Sequence, residues 1–207
     1  MRRQKETPHE AISIAGAHQF EVAYNHIHDC SKEGIDIKET SSNGIVHHNH
    51  IHHVKRQGLY VDAWFGTVEQ IEIYGNRIHH CGDAGIVISV ENGTQVRNVN
   101  IHDNIIHHNS GSGLFFSRWG DGPTLQEKDI VIADNVIHQS EKVHYPIRAG
   151  WPPDDYANVY AIRGTHSIRT NPHFKAPEAG NFQMPKTSGA AGKGADLKAS
   201  AKERRWE

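Results

Sequence analysis

Asp62 and Glu91 are the two residues of this chain best placed for acid–base chemistry. They close two similar segments, GLYVD from Gly58 and GIVISVE from Gly85. In both, inward apolar residues alternate with others at period two, which is the pattern of a strand. Set side by side in neighbouring turns, the two strands carry their carboxyls outward, two residues out of step. Strand spacing of about 4.8 Å and a rise of about 3.3 Å per residue then put the two Cα atoms about 8 Å apart. Side chains of this length bring the carboxyls to the roughly 5–5.5 Å of a retaining glycosidase or leave them at the roughly 6.5–9.5 Å of an inverting one. In the retaining arrangement Asp62 is the nucleophile and Glu91 the acid/base.

The outward positions of these strands form three rows. The first holds Asp36, Tyr60, Val87 and Phe115, and the second Lys38, Asp62, Ser89 and Ser117. The third holds Thr40, Trp64, Glu91 and Trp119, with Arg118 beside it. Exposed aromatics stack on the C–H faces of sugars, and charged groups bind hydroxyls. Tyr60, Trp64, Phe115 and Trp119, with Asp36, Lys38 and Arg118, therefore make a candidate substrate ridge. The loops WFGTVEQ, ENGTQVRN and RWGDGPTLQEK leave the same strands and would wall a cleft, where function tends to sit. The plainer alternative is a solvated face on which the two carboxylates pair with Lys38 and Arg118.

What positions these residues is a repeat. The phrase Asn-x-Ile-His begins at Asn25, Asn49, Asn76, Asn104 and Asn135, at intervals of 24, 27, 28 and 31 residues. A fixed phrase with elastic spacing marks the turns of a solenoid. Each repeat has one strand before the Asn, one through Ile-His and one after a Gly. The expected fold is all-β: a right-handed, single-stranded parallel β-helix of about five coils with three short strands each. Asn suits the left-handed backbone of a corner and can bond to the Asn above and below; the recurring Gly is expected to serve the same steric need. Inward stacks follow, led by Ile27, Ile51, Ile78, Ile106 and Ile137. A narrow tube filled in layers explains how a chain only 36% hydrophobic builds a core.

GLYVDAW at Gly58 to Trp64, followed by GIVISVENG at Gly85 to Gly93, resembles the paired motifs of β-helical glycoside hydrolases of the β-xylosidase type. The resemblance covers about Gly34 to Trp119, and implies Asp62 as nucleophile, Glu91 as acid/base and a xylan-like polysaccharide or oligosaccharide as substrate. It departs from the family in having far fewer coils and a longer Asp-to-Glu interval. The tail NPHFKAPEAGNFQMP resembles an ending common to β-helix proteins and marks the fold rather than an activity.

Two other functions compete. A polysaccharide lyase needs a base and a neutralising cation; Lys38 and Arg118 have the right chemistry but stand three coils, about 14 Å, apart. A non-catalytic carbohydrate-binding β-helix, or a truncated one, is the other. No cofactor is expected. The 18 His invite a metal, but the column His28, His52, His79, His107 and His138 presents parallel rings rather than the convergent ligands zinc requires. Stacking is the expected role, with acid sensitivity as its consequence.

A net charge of −2 with mixed signs gives no reason to expect nucleic acid as a partner. No run of about 18 apolar residues suggests a membrane span, and the opening MRRQKETPHE lacks the apolar stretch of a signal peptide. Localisation stays open: cytoplasmic if Met1 is the native start, secreted if the chain is part of a longer protein. The early start of the repeat favours the latter, and an uncapped end would favour end-to-end dimers. Coils are expected over 12–150, a decaying last coil over 151–174 and a loosely packed tail over 175–207. Cys30 and Cys81 stand two coils apart, about 10 Å, too far for a disulfide.

Overall fold

The structure, a computed structural model, describes residues 10–118, 127–138, 175 and 185–188. Among these residues every regular element is a strand, and three strands make each turn. The first coil is β1 (Ile12–Ala15), β2 (His18–Ala23) and β3 (His26–His28); the second is β4 (Ile35–Lys38), β5 (Ser42–His47) and β6 (His50–His52). The third is β7 (Leu59–Ala63), β8 (Thr67–Tyr74) and β9 (Arg77–His79), and the fourth β10 (Ile86–Val90), β11 (Gln95–His102) and β12 (Ile105–His107). The fifth is β13 (Leu114–Arg118), β14 (Glu127–Ala133) and β15 (Val136–His138). Each strand pairs in parallel with its counterpart one coil away, giving three five-stranded sheets. The chain is thus a parallel β-solenoid, as the repeat implies.

The core is the set of inward columns. Ile51, Ile78 and Ile106 form one, flanked by Ile27 and Ile137 at the ends, and all are buried. Ile35, Leu59, Ile86 and Leu114 form a second, and Val46, Ile73, Ile101 and Ile132 belong to a third. At one end of a further column a large residue faces the smallest: Phe20 pairs with Gly44, and a Cβ on Gly44 would lie 2.1 Å from the Phe20 ring. The large ring fills the space the missing side chain leaves, which keeps that layer at interior packing density.

The Asn column is a continuous buried ladder. Asn25 Nδ2 donates to Asn49 Oδ1 at 2.9 Å, Asn49 to Asn76 and Asn76 to Asn104 at 3.0 Å, and Asn104 to Asn135 at 2.9 Å. The same oxygens accept backbone N–H groups from the coil before, as Asn104 Oδ1 does from Asn76 N at 3.0 Å. The left-handed corner, however, belongs to the residue before the Asn: Tyr24, His48, Gly75, Asp103 and Asp134 all have φ between 51° and 62°. The recurring Gly also has a different role from the one expected. Gly58 is not left-handed; a Cβ there would lie 2.3 Å from Ile78 Cγ2 and 2.8 Å from Gly85 O, so close stacking of coils excludes a side chain.

Cys81 is buried, Cys30 is half-buried, and both are free thiols. The expected decaying coil over 151–174 and most of the tail lie outside the described residues.

Candidate functional site

The outward rows of the sheet β1-β4-β7-β10-β13 have the register expected from sequence. Asp36 pairs with Tyr60, Tyr60 with Val87, and Val87 with Phe115. Lys38 pairs with Asp62, and Asp62 with Ser89. Glu91 lies two residues beyond Ser89, and its N–H bonds to Ala63 O at 3.2 Å. Asp62 and Glu91 are therefore on adjacent coils with the predicted offset.

Their surroundings differ from a solvated face. Asp62 is 2% exposed and Asp36 3%. Tyr60, Ala84 and Val87 pack as a small second apolar cluster on this outer face, with Phe115 against it. Tyr60 and Phe115 are thus packing residues, and the expected four-aromatic ridge is reduced among the described residues to Trp64. That side chain is 42% exposed and meets the exposed Phe65 edge to face, with ring centroids 6.0 Å apart. Arg118 lies on β13 opposite Val90; Trp119 falls outside the described residues.

Burial sets the electrostatics. Losing water disfavours the charged form of a carboxyl, and a nearby carboxylate adds to that. Asp62 has both: burial first, then the charge of Glu91 and of Asp36, push its carboxyl up to about 8. Its Oδ1 is buried without a hydrogen-bond partner. Glu91 is half-buried and accepts a 2.7 Å hydrogen bond from the Tyr60 hydroxyl. That phenol is itself pushed up, mainly by burial, and stays a donor. At neutral pH Asp62 therefore holds its proton.

Although it faces Asp62 in register, Lys38 makes its ion pairs with Asp36 and Glu10. Its Nζ bonds Asp36 Oδ2 at 2.9 Å and Glu10 Oε1 at 3.2 Å. Burial lowers the Lys38 pKa, but these two carboxylates outweigh it and raise the net value. Burial likewise lifts Asp36 to about 6 in spite of Lys38. Glu33, also buried and not singled out from sequence, pairs with Arg56 Nη1 at 3.0 Å. No pattern marks Glu33 in the sequence, because it lies in the irregular segment before the Gly.

The histidines form several ladders. His28, His52, His79 and His107 stack face to face at 5.2, 5.1 and 4.7 Å. His53, His80 and His108 form a second stack beside them, at 5.1 and 5.2 Å. The two stacks meet edge to face and bond through Nδ1 atoms 2.7 Å apart, as in His79 with His80. Flanking by the second stack buries His79 and His107, so the column is less outward than its alternation implied. Burial, then the neighbouring rings, lower His52 to about 4.

Stacked parallel coils with an acidic, partly covered outer face define a β-solenoid in which one sheet has been chemically differentiated. The family described as the right handed beta helix region matches residues 5–72 and 68–148, more than half of the chain, and the chain belongs to that family. Comparisons with curated proteins and with solved structures find no match.

Proposed function

We propose that this β-helix is a carbohydrate-active protein, a glycoside hydrolase that uses the Asp62–Glu91 pair on a xylan-like polysaccharide or oligosaccharide. The observation that carries the reading is a buried carboxyl raised to about 8 beside a second carboxyl that accepts a hydrogen bond from a phenol. Glycoside hydrolysis needs one carboxyl protonated and one ionised, in environments that push their pKa values apart. On that physical ground the roles are the reverse of those implied by the resemblance. Asp62 is the proton donor to the leaving oxygen, and Glu91, oriented by Tyr60, is the nucleophile or the base that activates water. The partnerless Asp62 Oδ1 supports this, since a substrate oxygen would complete its bonding.

Trp64 and Phe65 are the exposed rim on which a sugar first stacks. A substrate reaching Asp62 displaces part of the cover over that residue, so binding and reorganisation are coupled. A lyase is the weaker reading because its candidate base, Lys38, is held in two ion pairs and stays protonated. The test is product mass after incubation with xylan, arabinan and pectin fragments. Fragments heavier by one water support the hydrolase; unsaturated fragments support the lyase; no product from folded protein that still binds the sugar leaves a binding module.

A further inference from the structure

Within one histidine column the rings lie parallel and their nitrogens do not converge on a metal. Between columns the rings are tilted and their nitrogens approach one another. In the first two coils the repeat reads NHIH, so each of these strands carries two histidines on one face. His26 and His50 are paired across the coils and stack at 4.7 Å with 3° between planes. His52, in the neighbouring column, is tilted 43° to His26 and 41° to His50. The tilt turns His52 Nε2 toward His26 Nε2, and the two lie 2.8 Å apart.

One ring nitrogen from each of His26, His50 and His52 falls within 4.8 Å of the others. Two nitrogens at about 2.0–2.1 Å from a tetrahedral zinc are about 3.3 Å apart. A modest opening of the His26–His52 pair therefore admits an ion between them. His26 is exposed and the other two are half-buried, so the rings have room to adjust and a hydrated cation has access. The His52 Nδ1 sits 2.7 Å from His53 Nδ1. With the proton of His52 on Nδ1, that contact fixes the ring and leaves Nε2 as the ligand atom, the arrangement that orients metal-binding imidazoles. His50 also meets His79 through their Nε2 atoms at 2.8 Å, so its turn toward an ion gives up that contact.

We propose that His26, His50 and His52 bind one divalent transition-metal ion of the zinc, nickel or copper class, clamping the first coil onto the second. Three imidazoles select these ions over magnesium and calcium, which prefer oxygen. A fourth position is left for water or a further ligand. The sequence itself bounds the site. In the third coil Arg77 replaces the first histidine of the phrase and pairs with His50 in register, so a cation ends the double column. The second convergent group, His79, His80 and His107, is largely buried, which denies it the same access.

The test uses the untagged full chain, loaded with zinc or with magnesium, passed through gel filtration and assayed for retained metal, with affinity measured by calorimetry. The expected result is one retained zinc per chain and no retained magnesium. His26→Ala and His52→Gln should each weaken zinc at least tenfold, and His50→Ala should weaken it less. His108→Ala, in the other stack, should leave the affinity unchanged. Circular dichroism of each variant separates lost binding from lost fold, and His26→Ala, at an exposed position, is expected to keep its strands. Failure to retain zinc, or equal affinity in folded His26→Ala, would overturn the assignment; so would an equal loss in His108→Ala, which marks diffuse binding along the ladders.

Discussion

Two outward faces of the same solenoid follow opposite rules. On the sheet of β3, β6, β9, β12 and β15 the last residue of each strand is His, and the rings of His28, His52, His79 and His107 stack like on like. On the sheet of β1, β4, β7, β10 and β13 the corresponding row is mixed: Lys38 faces Asp62, and Asp62 faces Ser89. A repeated column satisfies itself, because each side chain has a neighbour of its own kind at the strand spacing. A varied column places unlike groups 4.8 Å apart or so, and that is how a carboxyl comes to be buried beside another carboxyl with no cation of its own. In this fold, repetition builds the rod, and departure from it concentrates the chemistry.

The sharpest way to break the comparison is to remove one carboxyl. Glu91→Gln and Asp62→Asn should each lower hydrolysis by about 10²–10⁴-fold, the usual share of a positioned acid or base, with the strand signal in circular dichroism unchanged. Turnover that survives either change removes that residue from the catalytic pair. Removing one rung of a repeated column should instead cost stability. Asn76 lies fully buried between Asn49 and Asn104 and also donates to Val46 O at 2.9 Å. Asn76→Ala strands its partners, and a loss of about 2–4 kcal/mol in denaturant unfolding is expected; a loss within error would show that the ladder is dispensable.

The pH dependence of stability separates the two faces by sign. Asp62, raised to about 8 when folded, holds a proton that the unfolded chain releases near the ordinary carboxylate value. Its contribution to stability is present at acid pH and is lost as pH rises from about 4 to about 8, on the order of 5 kcal/mol. His52, lowered to about 4, acts in the other direction: the unfolded chain takes up its proton first, so stability falls as pH drops from the ordinary imidazole value toward 4. Asp62→Asn should remove the fall between about pH 4 and 8 and leave standing alone the loss that His52 contributes below the ordinary imidazole value. An unchanged fall as pH rises would contradict the burial argument. The smallest effect is expected at the rim: Trp64→Ala should weaken sugar binding severalfold in calorimetry while shifting unfolding little, because the ring is exposed.

Much of this was legible in the sequence, for a physical reason. The inward columns, the register of the outward rows and the Asn ladder all follow from a period of two combined with a fixed phrase, and both are local properties of the chain. Asp62 and Glu91 were placed correctly relative to each other for the same reason. What was not legible depends on contacts between distant segments. Alternation says that Asp62, Tyr60 and Phe115 point outward, but not that Tyr60, Val87 and Phe115 pack together there or that Asp62 is buried. The pairing of Lys38 with Asp36 and Glu10 has the same character, since Glu10 precedes the first strand. The left-handed corner was assigned to the Asn, whereas the residue before it carries the strain and leaves the Asn amide free to bond along the rod. The convergence of His26 and His52 is not legible in either column alone, because it runs diagonally between the two.

The most direct measurement is a carboxyl NMR titration of the folded chain with its aspartates labelled, read at Asp62 in the native protein and in Glu91→Gln. The expected result is a midpoint near 8 in the native chain that falls when the Glu91 charge is removed. An Asp62 midpoint near 4 in the native chain would contradict the account, because Asp62 would then be ionised at neutral pH and would be no acid.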